Sequence, residues 1–333
     1  MGEHLDTSMK QLRIAAVFPG QGSQFAGMSK VLRDAFPWTK DIYEEASDAL
    51  NENLLKLCDE GPEDTLQLTK NAQPAILVTS YAWWQVLRRE LDLRATAAAG
   101  HSLGEYTALL SQGAMTLPEA VRLVRKRGEL MQDAVPAGKG KMAALLGLDD
   151  TKVEELCQKA SQGEHSIVVP ANFNAPGQVV IAGHAEAVDR AQALTTTDPN
   201  LKARKFIPLK VSAPFHSPLM TPVAETFDPY LKSVVWKPWA APVAFNVDGK
   251  LRAEGDVAQL LKEQLDHPVR WTTCAASLAG DSKTVFVETG PGKVLTGLIK
   301  RIVTGATLVS VDSVEELRGL ERMMKEVENE VTG

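Results

Sequence analysis

A serine held between two glycines is the first place in this chain where residue type and spacing could do chemistry. In Gly100-His101-Ser102-Leu103-Gly104-Glu105-Tyr106 the spacing is Gly-x-Ser-x-Gly, preceded by the alanine-rich stretch Ala95 to Ala99 and followed by Tyr106 to Leu110 at helical spacing. That grammar predicts a strand turning sharply into a helix with Ser102 on the turn, a nucleophile elbow. A serine hydroxyl is nearly inert at neutral pH. The elbow lifts it clear of the backbone, while free N–H groups at the helix N-terminus can face an oxyanion. An ordinary glycine-flanked turn has the same letters, so it is the strand-to-helix context that carries the nucleophile assignment.

A serine nucleophile needs a base, and the chain has six histidines. His4 lies in a polar N-terminal stretch, His165 in a polar loop and His184 at a helix start, all places that suit surface residues. His101 adjoins the serine, and a neighbour on a tight turn points away from it. His216 and His267 remain. His216 sits in Ser212-Ala-Pro-Phe-His-Ser-Pro218, a loop stiffened by two prolines directly after a strand, where an imidazole can be fixed. His267 precedes Pro268 and reads equally well as a solvated loop residue. The sequence favours His216 without excluding His267, because a base must also lie within hydrogen-bond reach.

Thr116-Leu-Pro-Glu119 is a capping box with proline in the first turn, which predicts a helix to about Asp133. Ala120, Leu123, Val124 and Met131 form its apolar face, with Arg122, Arg125, Lys126 and Glu129 on the others. Arg127 falls on the apolar face between Leu123 and Met131, so an always-charged guanidinium is aimed inward. Two roles fit it: a structural salt bridge to a buried carboxylate, or a clamp for a carboxylate carried by a substrate and held by two parallel N–H···O bonds.

These residues need a scaffold, and the hydrophobic pattern supplies one. Leu12 to Phe18 reads as an apolar strand that breaks into Pro19-Gly-Gln-Gly-Ser-Gln24; this loop has neither the Gly-x-Gly-x-x-Gly spacing nor a Gly-Lys-Ser/Thr for phosphate. Helical patterns cover about 28–57 and 72–91. Thr284 to Glu288 is a strand entering Thr289-Gly-Pro-Gly-Lys293 and a helix from Val294. Alternating strand and helix predict an α/β fold with a largely parallel sheet covered on both faces, its working site beyond the strand C-terminal ends, where Gln21, Ser102 and Gly290 fall. Between Met142 and Lys210 the order is βαββαβ, a ferredoxin-like unit. It would be inserted into the larger domain with hinges near Pro136–Gly140 and Pro208–Pro214, leaving a cleft between lobes for substrate. The predicted division is 12–138 with 209–315 for the large subdomain and 139–208 for the small one, with tails at 1–11 and 316–333.

Composition narrows the function classes. At 333 residues, 44% hydrophobic and 23% charged, the chain is an ordinary globule. A net charge of −6 with no block of like charge disfavours a nucleic-acid surface. No apolar run approaches the roughly 20 residues that span a bilayer, and Ile14 to Phe18 is too short for a signal peptide. A cytoplasmic enzyme is the expectation, with no membrane and no nucleic-acid partner. Cys58, Cys157 and Cys274 are odd in number and widely separated, which argues against a disulfide framework or a zinc site, so no metal is expected.

Taken together, Gly20-Gln-Gly-Ser-Gln24, Gly100 to Tyr106, Arg127-Gly128, Asn172-Phe-Asn-Ala-Pro-Gly-Gln178, Ala213-Pro-Phe-His216 and Gln264-Leu with Pro268-Val-Arg-Trp271 closely resemble the malonyl-CoA:acyl carrier protein transacylase family. The likeness runs from about residue 12 to 310 and extends to the acyltransferase domains of polyketide and fatty acid synthases. It implies an α/β-hydrolase-like large subdomain with a parallel central sheet and an inserted ferredoxin-like small subdomain. It implies S-malonyltransferase activity by a ping-pong route in fatty acid synthesis, with coenzyme A thioesters and acyl carrier protein as substrates, no cofactor, and a monomer. Residue by residue, it implies Ser102 as nucleophile and His216 as base, with main-chain N–H groups of Gln21 and Leu103 as oxyanion hole. Arg127 would bind the malonyl carboxylate, and a carbonyl near Gln264 would orient the histidine in place of a triad acid. Asn172, Asn174, Phe215 and His101 would line the cleft, with Phe215 matching the malonyl-selective pattern. Trp83-Trp84 and the long segment before Leu12 depart from the family. Lys202, Arg204 and Lys205 could meet an acidic carrier, though solvated surface charge explains them better.

Two rivals are kept. A serine hydrolase on the same scaffold should pair its histidine with an acid and has no need of an inward Arg127. A nucleotide-binding regulatory module would use the two glycine loops.

Overall fold

The computed structural model describes residues 12–136, 138–211, 213–280 and 284–332. His4, the segment 1–11 and Ser212 therefore lie outside the described residues. Among the described residues ten strands form two sheets. The larger is ordered β10 (Thr307–Val311), β9 (Thr284–Thr289), β1 (Arg13–Phe18), β2 (Ala97–Gly100), β7 (Val243–Ala244) and β8 (Leu251–Arg252). Its neighbours run parallel except for the β7–β8 edge pair. Because successive side chains in a strand point to opposite faces, Ile14, Ala16 and Phe18 enter one apolar core while Ala15 and Val17 enter the other. This explains why β1 reads as an unbroken apolar run.

The smaller sheet is antiparallel, ordered β4 (Val168–Ala175), β5 (Gln178–His184), β3 (Gly140–Leu146) and β6 (Lys205–Pro208). Helices Asp150–Ala160 and Ala185–Thr197 pack on it around a separate core that includes Leu145, Val153, Leu156 and Ile181. Chain order and strand order together are those of a ferredoxin-like unit.

Three elements differ from expectation. The helix expected over 28–57 is broken into Lys30–Ala35, a 3-10 turn at Pro37–Thr39, Lys40–Leu50 and Leu54–Glu60. Pro37 cannot continue a helix, Asn51 closes the next at φ 53°, and Asn53 caps the last by accepting the Lys56 N–H at 2.9 Å. Residues 316–332, expected as a tail, are the body of helix Val314–Thr332, with Leu317 and Leu320 buried. Apolar residues recur there every three to four positions, Met324 included, and lie against the large core. Arg125, placed on an outer face by periodicity, is buried, with one Nη donating to Asn71 and the other to Glu52.

The adjacent tryptophans have a packing role. In helix Thr69–Leu91 both are 1% exposed. Trp84 meets Phe18 edge-on and donates its indole N–H to the Ser111 carbonyl at 3.1 Å, while Trp83 meets Phe36. Trp84 thus ties this long helix to β1 and, through Ser111, to the helix after Ser102, while Trp83 ties it to Phe36.

Candidate active site

Ser102 lies between β2 and helix Leu103–Ser111, at φ 51° and ψ −104°. The flanking glycines are there for steric reasons. A β-carbon on Gly100 would lie 1.8 Å from the Gly104 carbonyl carbon, and one on Gly104 would lie 2.1 Å from the Phe18 oxygen. Only at glycine can the helix approach the strands so closely. Among the described residues, four non-glycine positions have positive φ: Asn51, Asp92, Ser102 and His216. Asn and Asp tolerate that region, whereas strain of about 1–3 kcal/mol on a residue such as Ser or His persists only where surroundings enforce it. The two chemically active side chains are the two strained ones.

His216, 3% exposed, is held by a stiff loop between Pro214 and Pro218, with the Ser217 hydroxyl donating to the Pro214 carbonyl at 2.6 Å. Its Nε2 is 2.7 Å from Ser102 Oγ, and its Nδ1 is 2.8 Å from the Gln264 main-chain oxygen. A carbonyl can only accept, so Nδ1 carries the proton and Nε2 is left to accept the serine O–H. Among the described residues no carboxylate stands behind the ring; the Gln264 carbonyl takes that place. His267 is exposed and lies beside Asp266, with its Nδ1 2.7 Å from Asp266 Oδ1. His165 is exposed, and His184 uses Nδ1 to accept the Ile167 N–H.

Burial, and then the Arg127 charge, push the His216 imidazole down to about 3, against the pull of the Gln264 carbonyl. Below the usual histidine range the ring stays neutral at pH 7, so Nε2 is unprotonated when the serine must give up its proton. The acylation rate constant divided by half-saturation should therefore show no inflection near pH 6.5 in the wild type. In Arg127→Ala, with the repelling charge gone, a histidine inflection should move upward. A pH profile of single-turnover acylation checks both; a wild-type inflection near 6.5 would contradict the assignment.

Arg127, 1% exposed, is fully inward on helix Leu117–Gln132, whose capping box is formed as the sequence spacing requires. It has no ion pair among the described residues. Its Nη atoms donate to Gln73 Oε1 at 2.8 Å, Gln264 Oε1 at 2.9 Å and Ser102 Oγ at 3.0 Å, its Nε has no partner, and the group lies over the Tyr106 ring. A buried cation surrounded by neutral acceptors is costly and is ready for an anion.

Gln264 joins the three groups. Besides its carbonyl on His216 and Oε1 on Arg127, its Nε2 donates to the Ser102 carbonyl at 2.9 Å. Gln21, Leu103, Asn172, Phe215 and His101 line the same cleft of about 230 Å³, together with Met131 and Met142. The Gln21 and Leu103 N–H groups donate to no protein acceptor among the described residues, which leaves them available. Asn174 stands one step back, its Oδ1 2.8 Å from His101 Nε2. Gly290 is outside the cleft, packed on Pro19 and Ser80. Lys202, Arg204 and Lys205 are exposed at the edge of the small sheet.

Sequence reasoning did not find Gln73, Asn246 or a role for Glu105. Asn246 follows a two-residue strand too short to register as a pattern. Glu105 was visible in the elbow motif, but nothing local indicates that its carboxylate turns into the core.

A profile of the acyl transferase domain matches residues 16–332. The chain is 43% identical over 296 residues to the malonyl CoA-acyl carrier protein transacylase of Escherichia coli K12, covering 89% of this chain and 94% of that one. Among solved structures it is similar to the malonyl-CoA:acyl carrier protein transacylase of Xanthomonas oryzae, with TM-score 0.89 and 42% identity over 95% of this chain and 99% of that one. It is also similar to a malonyl-transacylase solved in complex with a type II polyketide synthase acyl carrier protein, with TM-score 0.88 and 40% identity over 93% and 99%.

Proposed function

The chain belongs to the acyl transferase family, and from that premise we propose that it moves a malonyl group from malonyl-CoA to the phosphopantetheine thiol of acyl carrier protein through a malonyl ester on Ser102. The observation that carries this reading is Arg127: a buried guanidinium with no carboxylate at ion-pair distance among the described residues, 3.0 Å from the serine hydroxyl. A free carboxylate at the far end of the acyl group is what such a cation lacks.

The steps follow from the contacts. His216 Nε2 takes the Ser102 proton as Oγ attacks the thioester carbonyl, and the Gln21 and Leu103 N–H groups receive the oxyanion. The protonated imidazole returns its proton to the departing thiolate of coenzyme A. The carrier thiol then enters, gives its proton to His216 and attacks the ester carbonyl; the Ser102 Oγ–acyl bond breaks, and Oγ takes that proton back from His216. Both ends are thioesters, so the exchange is near balance and calls for no cofactor. The cleft, about 230 Å³, is smaller than the roughly 300–1,000 Å³ of pockets that enclose whole drug-sized ligands. It suits the acyl end alone, leaving the nucleotide or carrier outside and letting two large donors alternate. Among the described residues, no helix is long and apolar enough to cross a membrane.

The hydrolase alternative expects an acid behind the histidine and no inward cation; the contacts at His216 and Arg127 favour the transferase. Intact-protein mass after mixing with malonyl-CoA tests the choice. One malonyl adduct on the wild type, none on Ser102→Ala, and transfer of the adduct to added holo carrier are expected. Loss of the adduct to water at the same rate with and without carrier would overturn transferase in favour of hydrolase.

A further inference from the structure

Ser102 holds a strained backbone conformation, and the side chain that encloses it is Asn246, fully buried just after β7. Its Oδ1 accepts the Ser102 N–H at 2.7 Å and its Nδ2 donates to the Gly100 carbonyl at 2.8 Å. One carboxamide thus grips the last strand residue and the nucleophile itself. The Asn246 main chain is fixed in turn. Its N–H donates to Glu105 Oε2 at 2.7 Å, and its carbonyl accepts the Arg270 N–H at 2.8 Å. Glu105 lies one turn into the helix that Ser102 begins, so the loop of contacts closes on the elbow.

We propose that Asn246, backed by Glu105, is a positioning residue for acyl transfer: its carboxamide staples the two arms of the elbow so that Ser102 Oγ stays on His216 and the Leu103 N–H stays free for the oxyanion. The inference rests on the acyl-serine reading above and deepens it. An elbow without the staple can relax toward ordinary φ, and relaxation rotates both the hydroxyl and the adjoining peptide. By engaging the Ser102 N–H, Asn246 also fixes which amide faces the core and leaves the next one to the cleft. Glu105 fits a neutral supporting role. Burial pushes its carboxyl up to about 8, against the Asn246 N–H, Gln264 and the Arg127 charge, and among the described residues its other oxygen has no hydrogen-bond partner within normal distance. A carboxyl neutral at pH 7 is copied well by glutamine.

The test separates serine reactivity from malonyl recognition. A fluorophosphonate probe reports how readily Ser102 attacks without any need for the Arg127 site, and quenched-flow acylation by malonyl-CoA gives rate constant and half-saturation apart. A displacement of about 1 Å can cost on the order of 100-fold. On that scale Asn246→Ala should label about 50-fold more slowly, with a parallel drop in acylation rate and half-saturation within about threefold. Glu105→Ala should lose about tenfold, and Glu105→Gln should recover most of that loss. If Asn246→Ala does not fold, Asn246→Asp decides. It keeps the volume and the acceptor toward Ser102 but sets an oxygen against the Gly100 carbonyl, so labelling slowed tenfold or more supports the staple. Wild-type labelling rates in folded Asn246 variants, or a loss confined to half-saturation, overturn the proposal. A wild type unlabelled at Ser102 overturns the acyl-serine reading and this inference with it, whereas a labelled wild type beside an equally reactive Asn246→Ala overturns the staple alone.

Discussion

His216→Ala should slow acylation of Ser102 by malonyl-CoA about 10⁴-fold while leaving half-saturation within a few-fold. The imidazole is the acceptor for the serine proton, and among the described residues no other base is hydrogen-bonded to Oγ; Arg127 donates to it. Without His216 the hydroxyl keeps its proton and is polarised the wrong way for attack. Residual turnover of about 10³–10⁴ over water is expected, because oxyanion donors and binding survive loss of a dyad member. Members of one catalytic unit are also non-additive, so Ser102→Ala combined with His216→Ala should be no worse than Ser102→Ala alone. Single-turnover quenching with labelled malonyl-CoA measures this. A loss under tenfold would assign the proton to another group.

Arg127→Ala should reverse acyl preference. Removing one partner of a buried pair costs about 3–5 kcal/mol, because the other charge is left unpaired, and by the same arithmetic malonyl transfer should fall by about 10²–10³-fold or more in kcat/KM. Acetyl-CoA brings no carboxylate. For it the wild-type cation is only a desolvated charge beside the reaction, and acetyl transfer should improve. Arg127→Lys should not rescue malonyl transfer, since an ammonium lacks the planar fork that meets a carboxylate with two bonds. Competing malonyl-CoA and acetyl-CoA in one assay reads the preference directly. An unchanged ratio would remove Arg127 from acyl recognition and with it the main support for a malonyl substrate.

Both predictions use residues legible in the sequence, yet their legibility differs in kind. The elbow was readable because its spacing is local: Gly100 is dictated by a clash with Gly104 four residues on, and the strand and helix around it have their own periodicities, although Gly104 itself answers to Phe18 on β1. The inward Arg127 was readable for the same reason, through its spacing from Leu123 and Met131 on a capped helix. The βαββαβ order of the small sheet followed from alternating patterns of ordinary length. Local reasoning failed where neighbours in space override periodicity. Arg125 is buried because Asn71, on helix Thr69–Leu91, and Glu52, in the turn after helix Lys40–Leu50, supply acceptors. The last helix is part of the core because β10 and its surroundings leave an apolar face to cover.

What the sequence determined by itself, then, was the turn that presents a serine, the helix that aims a cation inward, and the kinds of layer that carry them, since each follows from sterics and spacing over a few turns of chain. The tertiary structure decided which histidine meets the serine, that the cation has neutral acceptors and no ion pair among the described residues, and that Asn246 closes the elbow. Those contacts join residues 114, 137 and 144 positions apart. Distances across such separations are fixed by how sheets and helices pack, and no local pattern of the chain encodes them.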